Sequence, residues 1–209
     1  MLKYGETSRL IRSFQPGDRV LLEYESKIPI SQIVWRYITH YILEDEPTII
    51  FDFYGIGDIT FRNYLRSISG KEYRRLIESK KNIYIFKIGP GGASYGEVVG
   101  QEKVYTGTEN FLKVYYTMIQ RALSLPRKPK YAVVFGISEY LYFTGSSGLF
   151  NLINVISTIP IEDWTTIVLI NIDVVDEKQR AILEEISSWV VRLKEEGCEI
   201  IKGGNGRDD

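Results

Sequence analysis

The side chains best suited to chemistry are carboxylates and hydroxyls placed at the ends of apolar runs. Asp52 lies in Thr48–Phe53 (TIIFDF), Asp58 follows in the next turn, and Glu139 comes just after Tyr131–Phe135 (YAVVF). Open α/β folds bind ligands outside the carboxyl ends of their strands. Carboxylates there can hold a metal or share a proton, or they can cap helices and accept from loop amides. Tyr24, Glu25 and Ser31 occupy the stretch after the first apolar run, Tyr54 follows the second, and Ser138 precedes Glu139. Those eight residues are the candidate ligand cleft.

Several reaction classes fall away on counts alone. His40 and Cys198 are the only residues of their types. A two-histidine zinc site, a disulfide within the chain and a two-thiolate metal site are therefore excluded, and no cofactor is expected. Ser138 lacks a G-x-S-x-G elbow, and a serine triad would have to recruit His40. His40 itself falls on the polar side of its helix, and Cys198 reads as a small buried side chain. Gly89–Gly96 is glycine-rich and follows a strand, but Glu97-Val98-Val99 reads as more strand where a phosphate cradle needs a helix N-terminus. A flexible turn is the reading there.

The elements that position these residues alternate between short apolar runs and amphipathic periodicity. Gly17–Leu43 reads as a buried strand (Arg19–Tyr24), a turn around Pro29 with Ser31 as N-cap, and a long helix with Val34, Tyr37, Ile38, Tyr41 and Ile42 on one stripe. Further strands are expected at Thr48–Phe53, Ile83–Ile88, Tyr131–Phe135 and Thr166–Ile172. Helices are expected at 60–67, through Ser79, from Thr108, from about Gly148 and from Asp176, whose Gln179 completes a capping box. Gly91–Gly107 is left as a loop or β-excursion. Trp189–Lys202 reads as a closing β-hairpin around Glu195-Glu196-Gly197. This is an α/β order, three layers with a mostly parallel sheet between helices, and 209 residues suit one domain with an arm at 1–16 and a frayed tail at 203–209.

A net charge of -1 offers no general attraction to nucleic acid or acidic membranes, so nucleic-acid binding comes last. No apolar run reaches transmembrane length, and MLKYGETSRLIRSF lacks a secretory apolar segment, which makes the cytoplasm the expected compartment. Abundant Ile, Lys and Glu suit a thermophilic source, although a Tyr-rich mesophile fits the composition too. With 15 tyrosines, exposed aromatics could form an interface.

The order strand–turn–helix, YAVVF, TIVLINI, then helix and hairpin resembles the RecA-like ATPase domain, and more closely its archaeal KaiC-like branch. Ser188–Leu193 followed by a Glu/Gly turn and a strand to Lys202 carries most of the likeness, over roughly residues 15–203. The resemblance implies a GxxxxGK[ST] loop whose amides and lysine cradle phosphates. The matching window is Tyr24-Glu25-Ser26-Lys27-Ile28-Pro29-Ile30-Ser31, in which only the magnesium-holding hydroxyl position, Ser31, is kept. Gly136 follows YAVVF where the family ends that strand with a metal-positioning Asp, and Tyr54-Gly55 stand where the branch carries a Glu pair. ATP hydrolysis by the family route is not expected. The leading expectation is a non-catalytic interaction or regulatory module, a homo-oligomer (dimer or ring) with an unidentified protein partner. A small-ligand binder in the strand-end cleft, and an enzyme using the carboxylates there, stay open beside it.

Overall fold

The computed structural model describes residues 2–3, 7–38, 46–102, 108–158 and 163–203. His40, the Tyr41 and Ile42 end of the long helix and residues 204–209 of the tail lie outside them. The strands are β1 (Leu2–Lys3), β2 (Arg19–Tyr24), β3 (Thr48–Phe53), β4 (Ile83–Ile88), β5 (Glu97–Glu102), β6 (Tyr131–Phe135), β7 (Thr165–Asn171), β8 (Trp189–Lys194) and β9 (Gly197–Lys202). The helices are α1 (Thr7–Ser13), α2 (Ile30–Ile33), α3 (Ile56–Leu65), α4 (Gly70–Ser79), α5 (Thr108–Leu123), α6 (Ile137–Thr144), α7 (Ser146–Thr158) and α8 (Glu177–Ile186).

All described strands join one sheet in the order β1-β9-β8-β2-β7-β6-β3-β4-β5. Pairing is parallel from β8 across to β5 and antiparallel only in the β8–β9 hairpin and at β1. The central strands are apolar on both faces because helices cover both. Val20 and Leu22 of β2 point into one core with Leu10, Ile33, Phe61 and Leu76 from α1 to α4. Leu21, between them, points into the other, with Met118, Leu141, Leu149 and Leu183 from α5 to α8. Each such side chain is worth about 1.5–3 kcal/mol on burial. The mixed α/β architecture expected from the sequence is the one observed.

Of the loop or β-excursion expected over Gly91–Gly107, the structure has the second: β5, a parallel edge strand beginning at Glu97. Two local expectations are corrected. Ser31 does not cap α2; Pro29 holds the cap position with no side-chain hydrogen bond, and the helix widens after four residues into a π-turn at Val34–Ile38. Trp35, within that turn, lies fully in the core, edge-on to Phe61 (4.9 Å) and Tyr95 (5.0 Å) and stacked on Phe135 (5.7 Å). The residues after β6 form a helix of their own, α6, ahead of α7. Gly136 permits the abrupt start. Its φ is +81°, and a Cβ there would stand 2.5 Å from the Phe53 carbonyl oxygen.

Charged residues inside the sheet are matched across strands by register. Asp52 of β3 lies beside Lys87 of β4, and Glu23 of β2 beside Arg192 of β8. Glu23 is fully buried and joined to Arg192 (2.7 Å) and to Arg180 of α8 (2.9 Å), which locks the hairpin and α8 to the centre of the sheet. Burial pushes the Glu23 carboxyl up, against the pull of both guanidiniums.

Candidate functional site at the carboxyl edge

The carboxyl ends of β2, β7, β6 and β3 bring Tyr24, Asn171, Glu139 and Tyr54 to one edge, as the register of the four parallel strands requires. Ser138 starts α6 beside them, but it is buried and its hydroxyl accepts from the Asn171 amide (2.6 Å), so it fastens α6 to β7. Glu139 is only part-buried and has no ion pair among the described residues. Burial holds its carboxyl above the usual range, with its own amide pulling the other way. Burial, and then the Glu139 charge, raises the phenols of both Tyr24 and Tyr54. One carboxylate between two tyrosines can accept hydrogen bonds from a ligand. Tyr54 is also the one described non-glycine residue with positive φ, +56°, a costly conformation for a bulky side chain.

Beyond Tyr54 the edge turns apolar. Phe143 of α6 meets the Tyr54 ring edge-on at 5.7 Å and the Tyr142 ring at 5.4 Å. Tyr142, Phe143 and Phe150 are 70%, 65% and 60% exposed. Sequence periodicity had no means of finding them, since Tyr142 and Phe143 fall on a helix that it did not separate from the loop.

In the loop from Tyr24 to Ser31 three amides already have partners. The Ser26 amide donates to the Asp173 carboxylate (2.7 Å), that of Ile28 to the Glu25 carbonyl (2.9 Å), and that of Ile30 to the Ile28 carbonyl (2.7 Å), while Pro29 has no amide. Ile28 fills the space beneath, and Glu25 pairs on the surface with Lys27 (2.7 Å). Ser31 lies in the first turn of the helical segment that α2 opens and the π-turn continues to Ile38.

Asp52 and Asp58 stand apart from Glu139 and are fully engaged. The fully buried Asp52 accepts from the amides of Gly57 (2.8 Å) and Asp58 (3.3 Å) and from the Tyr95 hydroxyl (3.1 Å), with Lys87 at 3.6 Å. Burial pushes its carboxyl up against those contacts. Lys87 donates onward to the Gly92 carbonyl (2.9 Å). Asp58 accepts from the amide (2.7 Å) and hydroxyl (2.6 Å) of Ser94 and pairs with Arg62 (3.0 Å). The glycine-rich segment Gly89–Gly96 is thus pinned at several points, not a loose turn. Gly57 allows the approach: a Cβ there would come within 2.6 Å of the Tyr95 hydroxyl. Lys87 was findable in IYIFKI, a lone cation in a buried strand. Among the described residues no group of three metal-ligating side chains occurs, and no helix is long and apolar enough to cross a membrane.

The chain belongs to the family described as Pyrococcus protein of unknown function, DUF257, whose model matches residues 9–203. None of the curated proteins matches the sequence. Among solved structures, the protein PH0250 of Pyrococcus horikoshii OT3 aligns with a TM-score of 0.77 at 16% identity, over 97% of this chain and 93% of that one. PH0321 of Pyrococcus horikoshii, an uncharacterized protein solved in complex with an unknown peptide, gives 0.65 at 16% identity, over 97% and 92%. The flagellar accessory protein FlaH of Methanocaldococcus jannaschii gives 0.54 at 13% identity, over 97% and 86%. The fold is RecA-like.

Proposed function

We propose that this member of the DUF257 family is a RecA-like domain that no longer handles nucleotide and serves as an interaction module. The observation that carries the reading is the loop Tyr24–Ser31. A phosphate cradle needs converging free amides and a lysine. Here the Ser26 amide is taken by Asp173 and those of Ile28 and Ile30 by carbonyls of the loop, Pro29 has none, and Ile30 stands at the lysine position. Gly136 and Tyr54-Gly55 supply neither the metal-positioning carboxylate nor the Glu pair.

The interaction surface is the aromatic edge of Tyr54, Tyr142 and Phe143. Large exposed rings next to a part-buried carboxylate suit a protein partner or a second copy of the chain, in a dimer or ring, since aromatic side chains are the usual anchors of such contacts. The peptide bound to PH0321 is compatible with that use of the fold. Glu139 then serves as the polar contact at the rim of the patch. The cytoplasm is the setting we infer for it.

Calorimetric titration with Mg²⁺ and a non-hydrolysable ATP analogue tests the reading. No saturable heat at sub-millimolar affinity is the expected result. Clear saturable binding overturns it, because the loop would then have to rearrange around phosphate.

A further inference from the structure

The surface charges of the chain are separated between the two edges of its sheet. At the amino edge, Lys80 and Lys81 come just before β4, and Arg127, Lys128 and Lys130 just before β6. Thr48 of β3 pairs with Ile83 on one side and Tyr131 on the other, so the two basic runs are two strand spacings apart, roughly 10 Å. The Arg127 guanidinium donates to the side-chain carbonyl of Asn82 (2.9 Å) and ties them together. Among the described residues, Glu46 is the one carboxylate paired with this group, to Lys130 at 3.3 Å. Lys81 and Lys128 are exposed and have no ion pair there. Leu123, 54% exposed, ends α5 shortly before Arg127.

The carboxyl edge has the opposite sign. Asp173, Asp176 and Glu177 follow β7, and Glu195 and Glu196 turn the β8–β9 hairpin; all are exposed and none is in an ion pair among the described residues. The register of β2 with β8 puts that turn at this edge, since Arg192 is level with Glu23. Lys27 there is spent on Glu25 (2.7 Å), Lys194 faces Glu199 (3.9 Å), and Lys178 offsets one charge. Glu139, at the same edge after β6, has no cation either. Strands of six residues hold the two edges about 20 Å apart at roughly 3.3 Å per residue, about two screening lengths in 0.1 M salt. The edges therefore do not neutralise each other within one molecule, and a net charge of -1 leaves little overall repulsion between molecules.

We propose that the partner of the carboxyl edge is the amino edge of a second copy of this chain, the copies stacking head to tail along the strand direction. The assignment rests on the interaction reading above and names its partner. Lys81, Arg127 and Lys128 of one copy bring the cations that Glu139 and the hairpin end of the next one lack. A cation over the exposed ring of Tyr142 or Phe143 adds to the contact, and Leu123 supplies apolar surface beside the charges. A nucleic acid would occupy the basic edge and leave the acidic one unmatched, whereas a second copy satisfies both. Such a contact joins two different surfaces, so each added copy leaves one of each open and assembly runs past the dimer.

Sedimentation velocity of the full chain over a concentration series, in about 50 mM and about 500 mM sodium chloride, tests it. In low salt the mass should climb past the dimer with concentration, and in high salt it should fall. Lys81→Glu/Lys128→Glu and Glu195→Lys/Glu196→Lys change exposed side chains only, and each should be monomeric alone where the parent is assembled. Mixed in equal amounts, the two variants should associate again, because each reversed edge then meets its opposite charge. A parent that stays monomeric in low salt overturns the proposal; a short single-stranded DNA that then binds the parent, but not Lys81→Glu/Lys128→Glu, gives the basic edge to nucleic acid instead. An oligomer that survives either charge reversal also overturns it. If Phe143→Ser breaks that oligomer, the aromatic edge remains the interaction surface and only its partner has been misassigned. A mixture of the two folded variants that fails to associate overturns the pairing of the edges.

Discussion

Asp52 and Glu139 belong to the same edge of the same sheet, and burial raises the carboxyl of each, yet the fold treats them oppositely. Asp52 is given two amides, a tyrosine hydroxyl and a lysine, all within one buried knot. Glu139 is given two tyrosine neighbours and no cation among the described residues. The difference teaches how to separate structural carboxylates from available ones. A raised carboxyl alone does not mark a site; a raised carboxyl whose partners have not been supplied does. Asp52 holds the loop Gly89–Gly96 against α3, whereas Glu139 still has capacity to bind.

The sharpest way to break the contrast is to remove a partner from the satisfied side. Lys87→Met leaves Asp52 fully buried with no cation, and we expect a loss of about 3–5 kcal/mol in guanidinium unfolding. The double variant Asp52→Asn/Lys87→Met should recover part of that loss, because neither buried charge then remains. If the single variant costs under about 1 kcal/mol, water already reaches Asp52, and the two carboxylates are not as different as the geometry makes them.

The matching change on the other side should have the opposite sign. The folded Glu139 carboxyl is raised above its ordinary value of 4.5 by burial. Its contribution to stability is therefore full below that value and is lost as pH rises through the raised folded value. At neutral pH the parent carries a poorly solvated charge that Glu139→Gln removes. The variant should be more stable at pH 7, by roughly 0.5–1 kcal/mol, as is common when a functional group is neutralised. That advantage should vanish below the ordinary carboxylate range. Paired unfolding curves at neutral and acid pH measure it. A destabilised Glu139→Gln at pH 7 would mean the carboxylate already serves the fold, as Asp52 does.

How much of this was legible beforehand follows from the same distinction between local and long-range partners. Thr48–Phe53, Ile83–Ile88 and Tyr131–Phe135 are buried on both faces, so apolarity alone marked them as strands. β5 carries Glu, Gly and Gln beside Val98-Val99 at an exposed edge, where strand and loop compositions overlap. The Asp176–Gln179 capping box was readable because its reciprocal hydrogen bonds span three residues. The Asp52–Lys87 contact was not, for its members are brought together only by the register of two strands with a helical excursion between them. The placement of Glu139 and Tyr54 at the carboxyl edge followed from their positions after apolar runs. Their isolation from cations could be seen only when every neighbouring element was in place.

The smallest expected change in stability carries the most about function. Phe143→Ser removes a ring that is 65% exposed and rests on Tyr54 and Tyr142. Little apolar area returns to water on unfolding, so stability should shift by no more than about 0.5 kcal/mol. Loss of an interface anchor of this type commonly costs 2 kcal/mol or more, a factor of about thirty in affinity. If the aromatic edge joins copies of the chain, sedimentation of the parent should show an oligomer that Phe143→Ser converts to monomer at equal concentration. If it takes a different protein, the parent is monomeric and the same substitution should release whichever partner co-purifies. An oligomer insensitive to Phe143→Ser, with no partner released, would remove the aromatic edge from the account. Glu139 would then remain an unsatisfied carboxylate with no surface to serve, and its contrast with Asp52 would lose its functional meaning.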